Sequence, residues 1–198
     1  MEQTRDEELL TAHLAGKAGA FDALVARYVD GLYGFFQRFV GNAAAADDLV
    51  QETFLQVHLS ANSFDTQRSF KPWLFTIAAN KGRDYMRSRG RRPAQSLDAT
   101  GGDHDGPSPA AQLPGSDAAV GEPTESEERV QLVRKMISLM PEHLQLILIL
   151  GYYQRLPYAE MAEILDIPVG TVKSRLHSAV SYFSRLWFEH TGAATSEP

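Results

Sequence analysis

The chain contains no cysteine. That excludes a disulfide scaffold, a thiolate zinc site and a cysteine nucleophile. No apolar run approaches the ~18–20 residues of a membrane-spanning helix, so membrane insertion is not expected. Met1 to Glu7 is too acidic and polar to read as a signal peptide, and a cytoplasmic location is the expectation. No segment alternates apolar and polar residues with the period of a strand. The chain lacks a Gly-rich phosphate loop, a His-Glu-x-x-His pair and a nucleophile elbow, and its histidines (13, 58, 104, 143, 177 and 190) are scattered. An enzyme is therefore not expected, nor is a metal or other cofactor.

One stretch lacks basic residues altogether. Residues 93–128 hold eight acids and no Lys or Arg. The stretch before it is the reverse: residues 68–92 carry eight bases (Arg68, Lys71, Lys81, Arg83, Arg87, Arg89, Arg91, Arg92) and one acid, Asp84. The net charge of -6 hides this segregation. The total taken alone speaks against nucleic acid, whereas a basic block of this density is the footprint of a phosphate-binding surface.

The chain has 198 residues, and 43% of them are hydrophobic, enough for one packed domain or two small ones. The expected fold is all-α. Thr4-Arg5-Asp6-Glu7 fits a capping box that opens a first helix ending near Ala15. Phe21, Leu24, Val25, Tyr28, Leu32, Phe35, Phe36 and Phe39 recur at three- and four-residue spacing and predict a long amphipathic helix closed by Gly41-Asn42. A third helix carries Asp47 to Val57. A fourth runs from Lys71-Pro72-Trp73 to about Arg89, with Pro in the first turn. Residues 93–123 contain five Pro and five Gly and show no apolar face, which predicts a flexible linker able to reach about 100 Å when stretched.

A second helical domain starts near Glu125. Val130, Val133, Met136, Ile137 and Met140 mark one helix, and Pro141 opens another that runs to about Tyr153. Two short helices then form a helix-turn-helix over Tyr158 to Leu176. Met161, Ala162 and Leu165 supply its first inner face, and Asp166 sits where a left-handed turn is needed. Ile167, Val172 and Leu176 fill the angle between the helices. Thr171, Lys173, Ser174, Arg175, His177 and Ser178 remain as a polar, basic outer face suited to the major groove. A helical hairpin with a plain solvated face is the blander reading. The expected boundaries are 1–92 and 128–190 for the domains, 93–127 for the linker and 191–198 for a disordered tail.

The ordered set of motifs resembles bacterial RNA polymerase sigma factors of the extracytoplasmic-function (ECF) class. Asp48-Leu49-Val50-Gln51-Glu52-Thr53-Phe54 is similar to the family's core-polymerase-binding motif. Trp73 to Asn80, followed by Asp84 and Arg87, resembles the helix that reads and melts the −10 element. Met140 to His143 and Ile164 to His177 are similar to the −35-reading domain. The resemblance covers roughly 20–92 and 128–186.

The resemblance implies a set of roles. Asp48, Gln51, Glu52 and Leu55 would dock on the clamp helices of the polymerase largest subunit, with Phe54 facing either the partner or the core. Phe64, Asp65 and Arg68 would cradle a flipped −10 base. Trp73, Asn80, Lys81, Arg83 and Arg87 would complete the −10 surface, although Trp73, Phe75 and Ile77 fit a plain core as well. The second domain would read the −35 element and meet the polymerase flap, and an anti-sigma factor is an expected partner. In the family the linker threads toward the RNA path, where its acids would imitate RNA; an inert solvated tether is the blander reading. Two departures stand out. Pro157 replaces a Ser or Thr cap, and Ser178-Ala179-Val180-Ser181-Tyr182-Phe183 replaces a run of arginines, which loosens the assignment of the −35 contacts. The competing reading is a helix-turn-helix repressor or activator that never joins polymerase. It leaves the Asp48–Phe54 motif and the basic 68–92 stretch without a role.

Overall fold

The computed structural model describes residues 4–91 and 125–192. The linker and tail expected from the sequence lie outside the described residues, apart from the first residues of the fifth helix and, in the tail, Thr191 and Gly192. The first unit consists of α1 (Asp6–Leu14), α2 (Ala20–Val40), α3 (Ala43–Ser60), a single 3-10 turn (Ala61–Ser63) and α4 (Phe70–Arg91). The second consists of α5 (Glu125–Ser138), α6 (Glu142–Leu148), a π turn (Ile149–Tyr153), α7 (Tyr158–Leu165) and α8 (Val169–Thr191). The described residues are all-α, as the periodicities imply.

The α2 stripe behaves as its spacing dictates. Leu24, Leu32, Phe35, Phe36 and Phe39 are fully buried, while Phe21, Val25 and Tyr28 pack at its margin. Phe35 meets Phe36 and Phe75 edge-on, with centroids 5.2 and 5.6 Å apart. Gly41 ends α2 in the left-handed region, and Asn42 caps α3 by accepting from the Ala45 amide at 2.8 Å. α4 crosses α2 closely at Gly82, where a Cβ would stand 2.6 Å from the Phe39 ring.

Local expectations fail at three places. The Thr4–Glu7 capping box does not form. Glu7 turns instead to the fourth helix, accepting from the Phe70 amide at 2.9 Å, because the free amides of that helix start offer a partner that α1 itself does not need. The helix expected over Glu142 to Tyr153 changes pitch at Ile149 into the π turn. The last helix is not short: α8 runs 23 residues, since Ala179, Tyr182, Phe183 and Leu186 continue its apolar face along α5 and α6.

The two units pack against each other. Their buried residues form one continuous core, with α7 lying on α4 and the π turn on α2. The seam has its own polar fastenings. Gln145 is 2% exposed, and its amide donates to the Arg38 and Phe39 carbonyls at the end of α2, both at 3.2 Å. The Gln154 side chain donates to the Gly31 carbonyl at 3.0 Å, and Lys71 donates to the Gln154 carbonyl at 3.1 Å. Nothing in the helical periodicity announces this seam.

Candidate nucleic-acid and partner interfaces

α3 is divided lengthwise. Leu49, Val50, Thr53, Phe54 and Val57 face the core, and the Thr53 hydroxyl is satisfied by the Leu49 carbonyl at 2.6 Å. Asp48, Gln51, Glu52 and Leu55 share the opposite, exposed side, with Leu55 59% exposed. Spacings of three and four residues put them in one row. Phe54 does not belong to that row: it is buried and meets Phe21 edge-on at 6.4 Å. Helical geometry forces this, because Phe54 lies one and four residues from the core positions Thr53 and Val50.

The basic stretch folds as the loop before α4 and the outer side of that helix. Asn80, Arg83 and Arg87 follow one another along α4, with Arg83 donating to the side-chain Oδ1 of Asn80 at 3.3 Å and Arg87 paired to Asp84 at 2.9 Å. Lys81 reaches across to α3 and pairs with Glu52 at 3.1 Å, which joins the two candidate surfaces. Phe64 and Trp73 lie tilted against each other with centroids 4.8 Å apart, both beside Phe70, and Trp73 is half-buried in this aromatic cluster. Asp65 holds the preceding loop by accepting from the Gln67 amide at 3.0 Å.

Two of these cations are held by the second unit. Arg68 pairs with Glu163 of α7, and Arg83 lies 3.8 Å from Glu142 of α6. The sequence motifs assign no seam role to Glu142, Glu163, Gln145 or Gln154. Only Gln145 carried a signal, as the one polar residue in the run Leu144 to Leu150.

In the helix-turn-helix, Asp166 adopts φ 52°, ψ 51°, the left-handed turn its position requires. Met161 and Val172 are buried, while Ala162, Leu165, Ile167 and Leu176 are half-buried. Ile164, which the spacing argument does not assign to the inner face, is fully buried. α7 starts at Pro157 with no side-chain cap. Lys173, Ser174, His177 and Ser178 are exposed on α8, with Thr171 and Arg175 half-buried beside them. The Ser174 hydroxyl donates back to the Thr171 carbonyl at 3.1 Å. The tyrosine and arginine that follow, Tyr182 and Arg185, stack on each other with the guanidinium 4.7 Å from the ring.

The sequence matches the family models Sigma-70 region 2, over residues 24–92, and Sigma-70, region 4, over residues 131–181. A basic helix on the first unit and a helix-turn-helix on the second, matched in this order, place the chain in the sigma-70 class. The chain is similar to the RNA polymerase sigma-H factor of Pseudomonas aeruginosa, at 34% identity over 89% of this chain and 91% of that one. It is also similar to the ECF sigma factor SigW of Bacillus subtilis, at 33% over 82% and 86%. Among solved structures it resembles the sigma factor RpoE of Bartonella quintana in complex with the anti-sigma factor NepR, with 25% identity, a TM-score of 0.64 and coverage of 86% and 98%. The chain belongs to the ECF subfamily of bacterial RNA polymerase sigma factors, which bind core polymerase and direct promoter-specific initiation.

Proposed function

We propose that residues 1–92 and 128–190 work as separate domains on polymerase and promoter. The exposed row Asp48, Gln51, Glu52 and Leu55 docks on the clamp helices of the polymerase largest subunit. Asn80, Lys81, Arg83 and Arg87, with Phe64, Asp65, Arg68 and Trp73, hold the −10 element. The phosphates meet the cations, and unstacked bases meet the aromatic cluster. Thr171, Lys173, Ser174, Arg175, His177 and Ser178 read the −35 element in the major groove, and the same domain meets the flap. The protein works in the cytoplasm, performs no chemistry of its own, and is held inactive by an anti-sigma factor.

The observation that supports this reading best is the α3–α4 pair. One face of α3 is an exposed acidic and apolar row, and the adjacent side of α4 is basic, with Lys81 and Glu52 at their junction. A free-standing helix-turn-helix regulator needs neither surface. The packed seam gives the reading a consequence. Elements named −35 and −10 lie ~25 base pairs apart, about 85 Å at 3.4 Å per step. Domains in contact through α4 and α7 cannot reach both, so the seam opens when holoenzyme forms.

The test is run-off transcription with purified bacterial core polymerase on a promoter library. Transcripts that appear only when the protein is added support the reading. Specific DNA binding by the protein alone, with no effect on polymerase, returns the repressor.

A further inference from the structure

His13 and His58 stand 45 residues apart in the chain and meet in the fold. Nε2 of His13 lies 3.0 Å from Nδ1 of His58, with the ring centroids 5.0 Å apart. Phe21 of α2 backs both rings, tilted against His13 at 4.7 Å and edge-on to His58 at 5.6 Å. His13 is half-buried on this backing, and His58 is exposed. The surfaces assigned to polymerase and promoter use neither residue, and their spacing in the chain carries no sign of a pair. The helices add a second feature. His13 is in the last turn of α1 and His58 in the last turn of α3. Two negative dipole ends therefore come to one spot, and both favour positive charge there.

We propose that His13 and His58 form a site for a divalent transition metal, copper(II) or nickel(II) ahead of zinc. Imidazole nitrogens suit these ions, whereas magnesium and calcium take oxygen ligands. With metal–nitrogen bonds of ~2.0–2.1 Å, the 3.0 Å separation subtends an angle of about 91–97° at the ion. That is the angle between neighbouring ligands in a square-planar or tetragonal shell, the geometry of copper(II) and nickel(II). A tetrahedral zinc needs its two nitrogens about 3.3–3.4 Å apart, so it fits only after the rings part. Among the described residues no third His, Asp or Glu joins the pair, so water completes the shell.

Two neutral imidazoles at this distance can also share one N–H in a simple hydrogen bond. In the metal-bound form both facing nitrogens present lone pairs. The ring that donated shifts its proton to its far nitrogen, and no proton leaves the pair. The exposed His58 ring can turn toward a shared ion without moving the backbone. The ion ties the end of α1 to the end of α3. The start of α1 is already fastened, with Asp6 paired to Arg27 and Tyr28 and Glu7 accepting from the Phe70 amide. The site stands without the polymerase assignment.

The experiment uses the full chain without an affinity tag, and nickel chloride or copper chloride as the probe. Thermal melts in metal and in EDTA are followed by circular dichroism. Nickel at about five times its dissociation constant is expected to raise Tm by about 2–4 °C, and magnesium chloride is expected to leave it unchanged. Under copper, the ring protons of His13 and His58 are expected to broaden together in NMR spectra, ahead of those of the other histidines. His13→Ala and His58→Ala are each expected to weaken nickel binding about tenfold or more, since a lone imidazole loses the advantage of the second. His58→Gln keeps a hydrogen-bonding side chain, and its metal-free melt reports that it folds. It is expected to lose the nickel shift as His58→Ala does. His143→Ala, at an exposed position on α6, is expected to keep it. Three results would overturn the proposal and leave a plain hydrogen-bonded pair: no nickel or copper shift, equal binding by wild type and both alanine variants, or a shift lost in His143→Ala instead. A larger shift with zinc than with nickel or copper overturns the choice of metal.

Discussion

Gly82 and Phe54 show how single positions are constrained. At Gly82 the α4 backbone crosses the Phe39 ring with no room for a methyl group, the added Cβ falling 2.6 Å from it. Gly82→Ala is expected to cost about 1–3 kcal/mol, the usual penalty for overpacking, even though alanine is the better helix former. Urea unfolding followed by circular dichroism measures it. Phe54→Ala is expected to lower stability by about 3–5 kcal/mol as a core cavity. Its neighbour Leu55→Asp should leave the melt unchanged and weaken binding to core polymerase in a pull-down. Equal melting of the two variants would place both residues on the same side of α3. Glu7 offers a pH test. Partial burial pushes its carboxyl up, but the Phe70 amide and Arg5 outweigh that and hold it below its ordinary 4.5. A carboxylate favoured by the fold stabilises above its unfolded pKa, and that contribution is lost as the pH falls through the lower folded value. Wild type and Glu7→Gln should therefore differ in stability near neutrality, and the difference should close as the pH falls through the lowered folded value.

At the level of elements, the chain's periodicity was a reliable guide to where helices lie and a poor guide to how their ends are held. The α2 stripe and the Gly41–Asn42 stop were readable because 3.6-residue spacing and capping are local rules. The Thr4–Glu7 box was also a local pattern, yet Glu7 left it for the amide of Phe70, 63 residues away. The inner face of α7 was read as Met161, Ala162 and Leu165, whereas Ile164 is the residue fully enclosed. Which of two adjacent apolar residues is enclosed depends on the crossing angle with α8 and on α4 beneath, and neither is encoded in the spacing. The basic side of α4 yields a prediction at this scale. On the proposed −10 reading, Arg83→Ala removes one half-buried cation from the basic side of α4, and it should weaken open-complex formation by about 1–3 kcal/mol. Potassium permanganate footprinting of the −10 region reads that loss. Arg175→Ala on α8 should instead weaken recruitment to the −35 element and leave melting of a premelted template unchanged.

At the scale of the whole molecule, the seam is the feature that matters. Gln145 lies almost entirely buried between the units with its amide divided between two α2 carbonyls. Gln145→Ala leaves those carbonyls without a donor, at a cost of about 1–3 kcal/mol in the closed form, and nothing in the isolated units opposes it. The expected result is a larger radius of gyration by small-angle X-ray scattering, with helix content unchanged. The same variant should start transcription at lower concentration, because less of the binding energy of polymerase goes into parting the units.

The sequence by itself determined the helices, the acidic and basic segregation, the left-handed turn at Asp166 and the family to which the chain belongs. These follow from periodicity, composition and motif order, all of which are local or additive along the chain. Only the tertiary structure decided that Phe54 is core, that Lys81 joins Glu52, that Arg68 and Arg83 are held by Glu163 and Glu142, and that His13 meets His58. Those outcomes depend on which helix crosses which, and at what depth. That choice is made when apolar faces from distant parts of the chain are buried together.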